Sequence, residues 1–319
     1  MISKTASISV VIPCYNAAAF LREAIDSALA QTRPADEVIV VDDASTDGSV
    51  EVALSYGDRI KLLRSPNARG TGHGATANRG IMASRGDYIA FLHADDIWLP
   101  SHLEKVAGLL DKWHDAGVAF GRMECFGERN GMFPGDLPFE WDIPADVFFP
   151  IMRRLFVLPS SAMVRRYVVA GIGGFDEARP FYADDFDFFA RCSIWHKFVG
   201  SSVVSARYRT HSAQLSVNRH DTLANTFRYR VRILDDIDQI PQMQSKCAMG
   251  VDRAQRYWEE EIARAWQLRN MPLLRTLVKY GISEPIYREG TRYYALRCWL
   301  PNWVLRLCDQ RRGFRNRRI

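Results

Sequence analysis

A chain of 319 residues with 47% hydrophobic and 25% charged content carries enough apolar material for a sizeable core, which excludes an intrinsically disordered protein. The mild net charge of +5 gives no expectation of a nucleic-acid partner. No run approaches the ~18 consecutive apolar residues of a membrane span, which excludes a helical membrane protein.

The predicted elements alternate from residue 8 onward. Ile8 to Ile12 is a β-rich run ended by Pro13, and Phe20, Leu21, Ala24, Ile25, Ala28 and Leu29 then recur at helical spacing. Glu37 to Val41 is a second strand, closed by the polar loop from Asp42 to Gly48. Ser49 to Tyr56 reads as a short helix, Ile60 to Leu63 as a third strand, and the glycine-rich segment Gly70 to Gly74 precedes a helix to about Ser84. Tyr88 to Leu92 is a fourth strand, and Pro100 opens the helix that holds Leu103, Val106, Leu109 and Leu110. Residues 124–158 read as irregular. Order returns at Ser160 to Arg165, then in a helix from Asp184 to Ile194 and a strand running into Tyr208, Arg209, Thr210 and His211. Beyond about Ser216 the character changes to long helices, with Tyr257, Ile262, Ala265 and Trp266 as the apolar positions of one of them. The pattern predicts an α/β fold with a doubly wound, mainly parallel sheet over 1–216 and a helical C-terminal extension over 217–319.

In such a sheet, ligands gather at the carboxyl ends of the strands. The polar clusters Cys14–Asn16, Asp42–Asp43 and His93–Asp96 all fall there. Adjacent carboxylates at the end of a buried strand are costly unless something positive sits beside them, so Asp95 and Asp96 imply a cation. Asp184 and Asp185 begin a predicted helix, where the macrodipole stabilises anions while like charge raises a pKa. For Asp42 and Asp43 two uses stay open: contact with a ligand, or capping and binding of their own loop.

The stretches "SVVIPCYN" (9–16), "EVIVVDDASTDGS" (37–49), "GDYIAFLHADDIW" (86–98), "SSAMVRRYVVAGIGGFDE" (160–177), "DDFDFFAR" (184–191) and "YRTHSAQLS" (208–216) resemble, in order, the inverting glycosyltransferases of family 2. The resemblance covers residues 8 to 216. It implies a GT-A, Rossmann-like domain binding a nucleoside-diphosphate sugar, a UDP-sugar above all, with Pro13, Tyr15, Asn16 and Asp43 around the nucleotide. It further implies that Asp95 meets a divalent ion, Mn²⁺ or Mg²⁺, with His211 reaching the same ion or the diphosphate. In the matching Glu-Asp slot the second residue is the general base, which is Asp185 here, with Asp184 holding the acceptor or the loop. A sugar hydroxyl needs such a base because it is a poor nucleophile until its proton leaves.

Two features depart from the family pattern. His93 stands where the family has the first aspartate of D-x-D; imidazole can meet a ribose hydroxyl or a borderline ion such as Mn²⁺ but adds no negative charge. Ala77 stands where the family often has Arg before Asn78. "GTGHG" (70–74) imitates a dinucleotide glycine pattern but lacks its full spacing and context, and is rejected as one. The expected activity is metal-assisted transfer of a single sugar to a sugar or lipid-linked glycan acceptor in bacterial-type surface glycan synthesis; the alternative is a nucleotide-sugar-binding protein with little or no catalysis. Six scattered cysteines without CxxC spacing and an N-terminus without a signal-peptide pattern suit a cytoplasmic protein. The segment 293–308 and the arginine-rich tail read either as a peripheral contact with anionic lipid or as a helical lid or dimer contact.

Overall fold

A computed structural model describes residues 5–65, 71–177, 183–212, 214, 219–268, 270–284, 286–288 and 291. The segment 293–308 and the basic tail lie outside the described residues. The chain divides into two compact units, 1–217 and 218–319.

In the first unit, strands β1 (Ile8–Cys14), β2 (Glu37–Asp42), β3 (Lys61–Arg64) and β4 (Tyr88–Phe91) alternate with helices α1 (Leu21–Leu29), α2 (Ser49–Leu54) and α3 (His73–Ala83). After β5 (Ile97–Trp98) come α4 (His102–Lys112), β6 (Ala116–Gly127), β7 (Gly131–Phe133), α5 (Phe148–Arg153), β8 (Ala162–Arg165), α6 (Arg166–Ile172), α7 (Asp184–Trp195) and β9 (Lys197–Thr210). The sheet order is β3-β2-β1-β4-β8-β6-β9-β5, with β7 beside β6. The first four strands in that order are parallel; β8 then inserts antiparallel to both β4 and β6, and β6 runs parallel to β9. The predicted doubly wound order therefore occupies one half of the sheet and mixed pairing the other. Residues 116–127, partly assigned to an irregular stretch, form the long strand β6.

Pro13 lies within β1 rather than ending it. Pairing with β4 stops at Val11, opposite Phe91, so Pro13 sits where a missing N–H costs little. Leu21, Ala24, Ile25 and Ala28 form the buried stripe of α1. With Leu103, Val106 and Leu110 of α4 they cover the sheet face bearing Ile8, Val10, Ile12 and Ala90. Each fully buried large aliphatic side chain contributes about 1.5–3 kcal/mol. On α3, a Cβ at Gly80 would lie 2.3 Å from Val11 Cγ1, so glycine is what allows the helix to approach β1.

In the second unit, α8 (Arg219–Asp238), α9 (Gln244–Gln267) and α10 (Met271–Ser283) bury Phe227, Ile233, Trp258, Ile262 and Leu277. Trp258, not the expected Tyr257, is the buried aromatic of α9; it stacks on Tyr287 at 4.8 Å. Ile262 and Ala265 are buried as expected, and the side chain of Trp266 lies outside those described. Arg230 is 1% exposed, with its guanidinium 4.6 Å above Phe227 and 4.7 Å above Tyr257.

Candidate active site

The loops after β1 and β2 form one wall. Asn16 takes a left-handed φ of 48°, accepts the Thr46 N–H at 2.8 Å and donates its own N–H to Ser45 Oγ. Tyr15 beside it is 59% exposed, leaving its ring available to a flat ligand. Asp42 and Asp43 are both buried. Asp42 accepts the Ser45 N–H at 3.3 Å. Asp43 accepts the N–H and hydroxyl of Thr71 and the N–H of Gly72, at 2.7–2.9 Å. Asp42 thus binds its own loop, whereas Asp43 holds the approach to α3.

The loop after β4 forms the centre. The His93 N–H donates to Ser160 Oγ, while Asp96 is 1% exposed and accepts the Arg209 N–H at 2.9 Å. Asp95 Oδ2 lies 3.1 Å from His211 Nε2, and Arg209 Nε donates to the Asp95 carbonyl. The end of β9 is thereby laced onto the loop after β4. His93, Asp95 and Asp96 each place one ligand atom within 4.8 Å of the others. Asp96 Oδ2 and His93 Nε2 are buried without a hydrogen-bond partner among the described residues. Burial, and then the charge of Asp95, push the Asp96 carboxyl well above the usual range.

Helix α7 supplies the third side. Ala183 before it has φ 66°, a left-handed conformation that costs a non-glycine residue energy and turns the chain sharply into the helix. Asp184 Oδ2 meets His73 Nδ1 at 2.6 Å. Burial alone would raise the Asp184 pKa, but the charge and hydrogen bond of His73 outweigh it and hold the carboxyl low. Burial likewise opposes a charge on His73, yet Asp184, then Asp185 and Asp95, push its pKa up. His93, whose ring lies edge-on to His73 at 4.8 Å, is pushed the other way, to about 4, by burial and by the charge of His73. The acids around His73 favour its charged form, while burial and the charge of His73 favour the neutral ring of His93.

Asp185 has no side-chain partner among the described residues, and its Oδ1 accepts the Phe186 N–H at 2.7 Å. Burial and the neighbouring Asp184 push it up to about 6. Asp187, by contrast, is 0% exposed and doubly bonded to Arg191, which also donates to the carbonyls of Ile172 and Gly174. Asp187 therefore serves a structural partner and does not face solvent.

The structure thus brings Asp95, His93, His211, Asp184 and Asp185 around one centre, with Pro13, Tyr15, Asn16 and Asp43 on the β1–β2 wall. Sequence reasoning missed His73, Ser160 and Arg209. His73 lies inside "GTGHG", where attention went to the glycines. Ser160, in the turn before β8, and Arg209, on β9, serve the loop after β4 from distant parts of the chain, with no local signal.

Residues 9–171 match the family described as Glycosyl transferase family 2. An uncharacterized glycosyltransferase of Rickettsia prowazekii (strain Madrid E) is 31% identical over 230 residues, covering 69% of this chain and 71% of the relative. One from Rickettsia typhi is 32% identical, covering 67% of this chain and 64% of its own length. One from Rickettsia felis is also 32% identical, and there the alignment spans only 37% of the relative. Among solved structures, residues 1–349 of TarS from S. aureus in complex with UDP-GlcNAc superpose with a TM-score of 0.67 at 17% identity, covering 92% of this chain and 88% of that one. The mannosyltransferase PcManGT from Pyrobaculum calidifontis, in complex with GDP-Man and Mn²⁺, gives 0.54 at 16% identity over 92% and 88%. At such identities the likeness is one of fold, and that fold is GT-A. With a family match running from β1 into α6 and a relative above 30% identity aligned over two thirds of both chains, the protein belongs to glycosyltransferase family 2.

Proposed function

We propose that residues 1–216 bind a nucleoside-diphosphate sugar, in first place a UDP-sugar, and move its single sugar to an acceptor hydroxyl with inversion. The acceptor would be a sugar or lipid-linked glycan of a bacterial-type surface polymer. The observation that carries the reading is Asp185: a half-buried carboxylate at the start of α7, pushed up to about 6, in the electrostatic field that also joins His73 to Asp95. A carboxyl tuned towards neutrality is suited to take a proton as a hydroxyl attacks. Direct attack on the anomeric carbon by one activated hydroxyl gives inversion. Nucleotide-sugar complexes of TarS and PcManGT support the donor class.

The residues fit a divalent ion: His93, Asp95 and Asp96 converge, with two buried polar atoms of this set unpartnered among the described residues. Asp95 and His211 would hold it, and a mixed oxygen and nitrogen donor set suits Mn²⁺ better than Mg²⁺. Such an ion offsets charge building on a departing diphosphate. Pro13, Tyr15 and Asn16 line the nucleotide side through backbone, ring and amide. Asp43 contributes there by fixing Thr71 and Gly72, and His93 sits on the ribose side as a neutral hydrogen-bonding ring.

Calorimetry with UDP and GDP, with and without Mn²⁺, tests the site, and release of UDP from UDP-GlcNAc or of GDP from GDP-mannose tests the chemistry. Metal-coupled binding with slow donor hydrolysis is expected, and Asp185→Asn should abolish hydrolysis while sparing binding. Binding without any turnover across a wider donor and acceptor screen would favour a nucleotide-sugar-binding protein instead.

A further inference from the structure

His73 has a place in this site that the general chemistry does not require. It opens α3 directly after Gly72, whose φ is 96°, and Asp43 holds that junction through Thr71 and Gly72. From there the imidazole reaches 111 residues along the chain to Asp184, at 2.6 Å. The approach of α3 is close: a Cβ at Gly74 would stand 2.9 Å from the Asp176 carbonyl and 3.4 Å from Asp184 Oδ2. Asn78, one turn further, exchanges hydrogen bonds with both backbone groups of Phe175 and donates to Glu177. Phe175 packs edge-on against His73 at 5.7 Å and stacks on Phe188 of α7 at 4.1 Å. The loop on the β2 side and the first turn of α7 are therefore joined by one side chain set in a packed frame. Within the Asp184–Asp185 pair only Asp184 is engaged by it.

We propose that His73 is a positioning residue, whose Nδ1–H bond to Asp184 sets the first turn of α7 against the donor-side loop and leaves Asp185 as the carboxylate open to the acceptor hydroxyl. The inference rests on the reading of Asp185 as the base. His73 touches no reacting atom; it acts through Asp184. Misplacement of a reacting group by about 1 Å costs on the order of a hundredfold in rate, so loss of the tether should appear in turnover rather than in donor binding.

The test uses the full chain. His73→Phe keeps a ring against His93 and Phe175 but deletes the donor; His73→Asn returns an amide N–H near the Nδ1 position. With UDP-GlcNAc or GDP-mannose and Mn²⁺, His73→Phe should lower kcat about 10–100-fold, with UDP or GDP affinity held within about threefold. His73→Asn should recover most of that loss. In an Asp184→Asn background the His73→Phe change should cost less than about twofold, because the coupling is already gone. Independently of any donor, ¹⁵N-histidine NMR should show a downfield His73 Nδ1–H resonance that is absent from Asp184→Asn and retained in Asp185→Asn. That spectrum, with His73→Asn, keeps the test decisive if His73→Phe fails to fold. Unchanged kcat in His73→Phe, a parallel fall in nucleotide affinity, or a His73 resonance indifferent to Asp184→Asn overturns the proposal. Full activity in Asp185→Asn would instead overturn the assignment of the base, and the two failures are read from different variants.

Discussion

Two pairs of adjacent aspartates, Asp42–Asp43 after β2 and Asp184–Asp185 at the start of α7, look alike in sequence and are used differently. In the first pair both carboxylates accept backbone N–H groups of their own chain: Ser45 for Asp42, Thr71 and Gly72 for Asp43. In the second pair one carboxylate meets a half-buried histidine, and the other meets only the N–H of its own helix turn. The difference lies in what each acid faces. Backbone donors make an aspartate part of the frame, whereas a histidine bonded to one neighbour and desolvation of the other leave a carboxyl tuned for proton transfer.

The largest effect expected to separate the pairs is on turnover. Asp185→Asn should lower kcat by about 10²–10⁴-fold, whereas Asp42→Asn should stay within about tenfold of wild type; steady-state assays of both variants measure the contrast, and equal losses would erase it. Asp95→Asn should come next, weakening Mn²⁺-coupled UDP binding by about 10–100-fold with little change in metal-free binding, as read by calorimetry. The pH profile sharpens the role of Asp185. The base works deprotonated, and its raised pKa means that form is lost as pH falls through about 6, not near the ordinary carboxylate value of 3.8. Below about 6, kcat/KM should drop about tenfold per pH unit; a flat profile down to pH 5 would remove Asp185 from the mechanism.

Smaller effects probe the frame. Asp43→Ala strips Thr71 and Gly72 of their acceptor and should cost about 1–3 kcal/mol in chemical denaturation. His93→Asp should strengthen Mg²⁺-supported nucleotide binding by about threefold to tenfold, because it adds a negative charge beside the ion site. No change in Mg²⁺ dependence would assign His93 to packing against His73.

The legible parts of the molecule are those with a short-range pattern. β1 to β4 and the helices between them are visible because apolar runs and helical spacing are local and each strand is closed by polar residues. β6 was hidden: it carries Gly117, Gly121, Arg122 and Glu124, and its pairing with β9 joins residues some 80 positions apart. Trp258 was hidden behind Tyr257 because adjacent aromatics on a helix differ by 100° in direction, and only packing against Tyr287 selects one.

By itself, then, the sequence determined the alternating strands and helices and the strand ends at which the polar residues collect, since these follow from spacing along the chain. Only the tertiary structure decided which partner each acid meets. Asp187 and Asp185 stand two positions apart on one helix, yet Asp187 is bound to Arg191, one turn further along it. The pKa of Asp185, about 6, is set by burial and by Asp184, whose charge a histidine 111 residues away stabilises. Electrostatic fate depends on distance in space and on exclusion of water, and spacing in sequence measures neither.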